Sequence, residues 1–436
     1  MKKVSFCTLG CKVNQYETEA MITLFKDNGY EIGDFGEVCD VYVINTCTVT
    51  GTGERKSRQM INRAHQKNPD GLIAVVGCYS QVEPDKVSRI EGVDIVLGTK
   101  DRHLIVQLVE EKLNSSDYGC NIHVDDIMKQ REYEQLWITS YEDKTRAFVK
   151  IEEGCTEFCS YCIIPYARGP VRSRSLESLK KEVETLSNNG YREIVLTGIH
   201  IGSYGRDLGG VGLVDAIETV CSVDGIQRVR LGSVEPRVLT DEFIKRISAS
   251  SKVCDHFHIS LQSGCDRTLK NMNRKYTTNE YRMAVKRLRD AFDNPAITTD
   301  IITGFPGETR EDFEESLSFM REIAFSEVHI FPYSPRKGTK AASMDCQVEK
   351  KEREARAKEM IAEGKILHGK YVAQCMDKTF PVLFEREVAE GVYEGHMTNY
   401  VKVRVESTED ISHKIMDVYL EDFDSKGARG RLVTGI

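Results

Sequence analysis

The stretch Gly154-Cys155-Thr156-Glu157-Phe158-Cys159-Ser160-Tyr161-Cys162 spaces three thiols as C-x3-C-x2-C. Three thiolates on one tight loop can hold three corners of a cubane 4Fe–4S cluster and leave the fourth iron without a protein ligand. Zinc is the other metal such thiols attract, but a structural zinc site needs four closed ligands, usually in two pairs. The residues that follow, Ile163-Ile164-Pro165-Tyr166, supply neither Cys nor His. The loop therefore reads as a cluster site with one open iron, and an open iron is useful only if something else binds it.

A chain of 436 residues accommodates two or three domains with a sizeable core. No uninterrupted apolar run approaches a membrane span. The start, Met1-Lys2-Lys3-Val4-Ser5-Phe6-Cys7, is strand-like and lacks the apolar centre of a signal peptide. The fourteen cysteines are accordingly expected in a reducing cytoplasm, as ligands or buried small hydrophobes rather than disulfides. Net charge is −8, so any nucleic-acid surface has to be a local patch.

Over residues 1–113, strand-like runs (Val4 to Cys7, Val41 to Asn45, Leu72 to Val76, Ile95 to Leu97) alternate with helical stretches (Gln15 to Asp27, Glu54 to Gln66, Pro84 to Ile90, Arg102 to Leu113). That alternation predicts an open parallel sheet flanked by helices, with ligands beyond the carboxyl ends of its strands. Cys11, Cys47 and Cys78 fall at three of those exits, and Gly10 and Gly77 directly precede two of them. A single cysteine is most often a buried structural residue. Three at equivalent topological positions point to a second three-thiolate cluster. Cys7 and Cys39, within or before strands, read as core.

The two triads together resemble the methylthiotransferase family of radical S-adenosylmethionine enzymes, and the resemblance covers nearly the whole chain. It implies two 4Fe–4S clusters, an auxiliary one on Cys11, Cys47 and Cys78 and a radical-generating one on Cys155, Cys159 and Cys162. It also implies S-adenosylmethionine, bound to the open iron by its amino and carboxylate groups and cleaved to an organic radical. The segment Gly10-Cys11-Lys12-Val13-Asn14 is most similar to the branch acting on N6-threonylcarbamoyladenosine in tRNA. The isopentenyladenosine branch typically carries Gln-Met-Asn after this cysteine, and the ribosomal-protein branch Pro-Lys-Asn. The implied activity replaces the hydrogen at C2 of the modified adenosine next to the anticodon with a methylthio group. An external electron donor and a sulfur donor are implied partners; neither a membrane nor DNA is expected. The sister branches stay open as alternatives, as does a noncatalytic iron–sulfur module that binds RNA.

Residues 114–145 read as a polar, irregular connection, running from Asn114-Ser115-Ser116-Asp117 to Glu142-Asp143-Lys144. From 146 to 371, strands expected at Arg146 to Ile151, Glu193 to Thr197, Arg228 to Leu231, His256 to Ser260, Ile297 to Ile302 and Glu327 to Phe331 alternate with helices. They predict a partial (β/α)6 barrel with its site at the carboxyl ends of the strands. Candidate cofactor contacts are Tyr161 in the cluster loop and, at those ends, Gly198, which resembles the family's methionine-amino-group site, Ser233, Glu235 and Gln262. Each exit also has a plain reading as a strand-to-helix turn. Arg168, Arg172 and Arg174, close after the cluster loop, and Arg274 are candidates to grip the methionine carboxylate, a phosphate or an acidic part of the substrate. Arg267, Lys270 and Lys275 complete a basic group with Arg274. His256 and His258 read as barrel-lining, and His200 is left undecided. Thr309-Arg310-Glu311-Asp312 reads as a helix capping box.

A long helix is expected over Glu349 to Tyr371. Short β-type runs follow at Thr379 to Phe384, Gly391 to Gly395, Tyr400 to Val405 and Ile415 to Leu420, with turns at Gly391 and Gly395. Residues 372–436 thus predict a small all-β barrel, which resembles in position the RNA-binding TRAM domain of these enzymes. This segment carries 12 acidic and 8 basic residues, so RNA contact has to come from one face, with Lys402, Arg404, Arg429 or Arg431 and Tyr400 for stacking. The fold class is α/β: an open parallel sheet, a partial barrel and a terminal β-barrel.

Overall fold

The computed structural model describes residues 1–116, 119–141 and 145–433. Near-continuous apolar runs make central parallel strands, because helices cover both faces of such a sheet. The runs Val41–Thr46 (β3) and Leu72–Gly77 (β4) are buried at every position. They form the middle of a parallel sheet with Lys3–Thr8 (β1), Glu31–Gly33 (β2), Val93–Leu97 (β5) and Asn121–His123 (β6), in the order β2-β1-β3-β4-β5-β6. Helices Lys12–Asp27 (α1) and Gly51–Lys67 (α2) flank it.

The stretch 114–145 is not only a connection. It supplies the edge strand β6, and Leu136, Ile138 and Tyr141 enter the core of the central domain. Three-residue edge strands and isolated apolar anchors leave no period to read. Asp117 and Glu142-Asp143-Lys144, part of that expected connection, lie outside the described residues.

In the central domain, Arg146–Glu153 (β7), Glu193–Gly198 (β9) and Arg228–Leu231 (β10) pair in parallel, as do His256–His258 (β11), Ala296–Thr303 (β12) and Glu327–Pro332 (β13). Arg172–Ser173 (β8) adds a short antiparallel edge on β7. Parallel bridges Val229↔Val253 and Val234↔Ile259 join the two halves, so six strands run round an open barrel in sequence order among the described residues. The expected capping box is present: Thr309 accepts from the Asp312 backbone and Asp312 accepts from the Thr309 backbone at 2.7 Å.

Helix Lys350–Ala373 leads to a closed barrel of Thr379–Ala389 (β14), Val392–Met397 (β15), Lys402–Glu406 (β16), Ile415–Asp424 (β17) and Gly427–Leu432 (β18). Gly391 makes the β14–β15 turn at φ +67°. Gly395, expected at a turn, sits inside β15, where a Cβ would strike the Leu383 carbonyl. This barrel closes the amino-terminal end of the central one: Arg228 donates to the His396 and Pro381 carbonyls, and Arg230 to those of Thr398 and Met397. Among the described residues no helix is long and apolar enough to cross a membrane.

Candidate active site between two cysteine loops

The central cysteine loop leaves β7 at Gly154, whose φ of +88° and contact with the Pro170 carbonyl exclude any side chain. Backbone bonds fix the loop from both sides. Cys155 N–H donates to Gly169 at 2.9 Å, Cys162 N–H to Cys159 at 2.9 Å and Ser160 N–H to Met272 at 2.9 Å. Arg274 donates to Cys159 Sγ at 3.2 Å and to Glu235 Oε1 at 2.6 Å. Burial, helped by the neighbouring Cys159 thiol, pushes Cys162 up to about 12 and raises Cys155 as well. At neutral pH such thiols surrender their protons only to a bound cation.

Cys11, Cys47 and Cys78 lie at three strand exits of the first sheet. Cys11 caps α1, Cys47 follows β3, and Cys78 opens the helix after β4. Gly10, at φ +105°, lets the Cys11 turn close on Cys47: a Cβ there would lie 2.9 Å from Cys47 Cβ and 3.1 Å from its sulfur. Cys78 is buried while Cys11 is exposed. Burial, opposed by Arg168 and reinforced by Cys11 and Cys47, pushes Cys78 up to about 12. Arg168 Nε donates to Cys78 Sγ at 3.1 Å. In each triad the thiols act on one another electrostatically, and one sulfur accepts a guanidinium N–H. That soft donor set, with a hydrogen bond to one thiolate, fits a thiolate-held iron–sulfur cluster.

The arginines expected at the substrate require correction. Arg168 is fully buried, pairing with Glu153 at 2.8 Å and Glu17 at 2.6 Å and donating to Asn14 at 2.6 Å. Arg172, also buried, donates to the Pro170 carbonyl at 2.8 Å. Arg174 pairs with Glu182 and lies over the Trp137 ring. All three are committed to burying carboxylates or backbone oxygens, which puts them out of reach of a substrate. Arg274, 7% exposed, belongs to the central loop rather than to a phosphate surface. Arg168 is instead part of a lock between the first and central domains. There Glu17 contacts Arg102 at 2.5 Å and Lys150 at 3.2 Å, Lys150 contacts Glu153 at 2.8 Å, and Arg102 contacts Glu134.

A cavity of about 280 Å³ lies between the two loops. Val49 and Thr50, just past Cys47, bound it on one side, and Tyr161 and Cys162 on the other; Gln262 and Asp300 also line it. Its remaining wall is largely apolar and aromatic, with Tyr333 and Phe331, the latter 48% exposed. Gln262 holds φ +67° while its backbone bridges Asp300 and Ile302. A larger groove of about 560 Å³ is lined by Glu157, His200, Glu235 and Arg206. His200 lies 3.5 Å from Glu235, and its Nδ1 is 2.6 Å from Ser203. Burial raises the Glu235 pKa, but His200 and Arg274 outweigh it and hold the carboxyl below its usual range. Ser233 shares a 2.7 Å hydrogen bond with Ser260. At Gly198 the space a Cβ would need is occupied by the Glu152 carboxylate and Ile201, which accounts for the glycine without a ligand. His258 faces Asp300 at 3.5 Å and stacks on His329, as a barrel-lining residue does. Sequence reasoning missed Val49, Thr50, Phe331 and Tyr333. It also missed Arg336, which donates to Thr48 at 2.8 Å and pairs with Glu54 from 282 positions away.

In the terminal barrel, Tyr400 lies elsewhere than on an RNA-facing surface. Tyr400 is packed between the Arg230 and Arg146 guanidinium groups, 4.8 and 5.1 Å from its ring, and against His396 and His256. It plugs the central barrel and is not offered for base stacking. Arg404 pairs with Asp424 at 2.6 Å, Arg431 with Glu421 at 3.0 Å, Lys402 with Glu394 at 3.5 Å and Arg429 with Asp422. Arg267 is likewise taken by Asp312.

The chain is similar to known proteins over most of its length. Residues 149–320 match the Radical SAM superfamily model, and residues 3–98 match the model described as uncharacterized protein family UPF0004. The threonylcarbamoyladenosine tRNA methylthiotransferase MtaB of Bacillus subtilis (strain 168) is 45% identical over 96% of this chain and 93% of its own length. The Thermotoga maritima protein of the same name is 37% identical over 92% and 91%. The tRNA-2-methylthio-N(6)-dimethylallyladenosine synthase of Pelotomaculum thermopropionicum is 34% identical over 83% and 82%. Among solved structures, the radical S-adenosylmethionine methyltransferase TsrM from Kitasatospora setae, with cobalamin and a [4Fe-4S] cluster bound, superposes with a TM-score of 0.56. It is 15% identical and covers 77% of this chain and 76% of that one, a likeness of fold. With two converging cysteine triads and relatives that align over nearly its whole length, the chain belongs to the methylthiotransferase family of radical S-adenosylmethionine proteins, in its threonylcarbamoyladenosine branch.

Proposed function

We infer that the protein is a transferase that converts N6-threonylcarbamoyladenosine beside the anticodon of tRNA to its 2-methylthio derivative. The observation that carries this reading is the cavity bounded by both cysteine loops, with Cys162 on one side and Val49 and Thr50 of the Cys47 exit on the other. Cys155, Cys159 and Cys162 hold one 4Fe–4S cluster in this reading, and Cys11, Cys47 and Cys78 hold a second. When bound, the clusters and S-adenosylmethionine supply a radical able to take hydrogen from an unactivated aromatic carbon, and the sulfur that replaces it. The chain's own part is to bind and orient. Tyr161 and Gln262, which line the cavity, and Ser233 and Glu235 at neighbouring strand exits would hold S-adenosylmethionine, with Gly198 keeping its turn tight and Arg274 tying Glu235 to Cys159. Phe331 and Tyr333 offer aromatic faces to a base splayed out of its loop. Such a C–H bond has no acidic proton, so side-chain bases alone do not suffice.

The division into residues 1–113, 146–371 and 372–436 joined through 114–145, a cytoplasmic location, an external electron donor and a sulfur donor belong to the same reading. It is tested by anaerobic reconstitution and incubation with S-adenosylmethionine, a reductant and tRNA bearing the threonylcarbamoyl nucleoside. Release of 5′-deoxyadenosine together with a methylthio nucleoside by mass spectrometry is expected. Product only on dimethylallyl- or isopentenyladenosine tRNA would move the protein to the sister branch, and product only on ribosomal protein to the third. RNA binding that survives Cys159→Ala, with no nucleoside product from the parent, would make it a noncatalytic module.

A further inference from the structure

We infer that the exposed face of α2 is the surface on which the tRNA backbone docks beside the active-site cavity. The inference rests on the proposed function, since it takes tRNA as the substrate. Helix α2 carries Arg55, Lys56, Arg58, Arg63 and Lys67, all exposed, against one acidic residue, Glu54. Glu54 is consumed by Arg336. Among the described residues none of the five cations lies within ion-pair distance of a carboxylate; Arg58 reaches the Tyr79 hydroxyl at 3.4 Å, and Lys67, at the far end of the helix, acts on Glu37 only at longer range. In a chain of net charge −8, this is an uncompensated positive strip. The terminal barrel presents the opposite case, with Lys402, Arg404, Arg429 and Arg431 each paired to a carboxylate.

Position supports the same assignment. The buried stripe Ser57, Ile61 and Ala64 holds α2 on the sheet, so the cations and the amides of Gln59, Asn62 and Gln66 face outward together. The helix is capped by Thr50, which itself lines the cavity. Its 17 residues extend about 25 Å from that rim at about 1.5 Å per residue. A nucleotide entering the cavity therefore brings its flanking phosphates over free guanidinium groups. Arginine forks match phosphate oxygens, and neutralising phosphates releases counterions.

The test is tRNA binding by the reconstituted protein across a salt series, for the parent, an Arg55→Ala/Arg58→Ala/Arg63→Ala variant and an Arg55→Lys/Arg58→Lys/Arg63→Lys variant. Iron content and melting temperature report folding. The alanine variant should lose about tenfold or more in affinity at physiological salt, and its log–log salt slope should fall by roughly two to three. The lysine variant should keep the parent's slope, which separates loss of charge from loss of structure. Parental affinity and slope in the alanine variant would overturn the inference and leave the function intact. So would an equal loss produced instead by alanines at Lys402, Arg404, Arg429 and Arg431. A parent that binds no tRNA would overturn the function and this inference together.

Discussion

A guanidinium N–H donated to a cluster-bound thiolate withdraws electron density and raises the reduction potential. Both triads carry such a bond, Arg274 on Cys159 and Arg168 on Cys78. Arg274→Gln should therefore lower the midpoint potential of the central cluster while iron content stays parental, as read by an EPR redox titration. An unchanged potential would mean that the bond is absent once the cluster is loaded. Gly10→Ala tests the other loop. Its φ of +105° and the 2.9 Å approach to Cys47 Cβ leave no room for a methyl group. The variant should retain about four irons of the eight that two cubanes hold. Eight irons in the variant would show that the turn relaxes. The cysteines and Gly10 were legible because their chemistry or backbone demand is local. The partners of the arginines were not, since Arg168 meets Glu17 across 151 positions and three cations in a row suggest a ligand equally well.

At the scale of elements, the pattern of strand followed by polar exit carried most of the information. Buried runs such as Val41–Thr46 and Leu72–Gly77 can be seen as strands because their positions, Asn45 and Thr46 apart, are apolar or small. β2, β6 and β8 were missed: two or three residues contain no period, and pairing with a neighbour decides them. β18, with two glycines and two arginines, is held by its pairing with β16 and β17. The capping box at Thr309 was legible since its signal spans four residues. Thr309→Ala removes the side-chain acceptor for the Asp312 backbone and should cost about 1 kcal/mol in a denaturant titration. A cost near zero would mean that packing of helix Arg310–Ile323 fixes its start without the cap.

At the scale of the whole molecule, the lock around Glu17, Arg102, Lys150, Glu153 and Arg168 holds the second cysteine triad in place across the cavity from the first. Removing one member leaves its partners charged and dry, so Arg102→Met should destabilise the protein by about 3–5 kcal/mol. The same lock makes stability depend on acid. Burial raises the Glu134 carboxyl, but Arg102 outweighs it and holds it at about 2. Glu153 is likewise held well below its usual range, with Lys150, Arg168 and Arg102 overcoming burial. A carboxyl depressed in the folded state contributes stability that is present above its unfolded value of about 4.3. That contribution is lost as pH falls through the folded value, and for Glu134 alone it is of order 3 kcal/mol. Glu182, raised by burial, has the opposite sign and takes up its proton at higher pH, so it does not mask loss below pH 4. The melting temperature should therefore drop steeply from about pH 4.5 towards pH 2, with proteolysis between the first and central domains setting in over the same range. In Arg102→Met the drop should be shallower, because Glu134 has already lost the cation that depressed it. An equally steep drop in the variant would locate the acid sensitivity outside the lock.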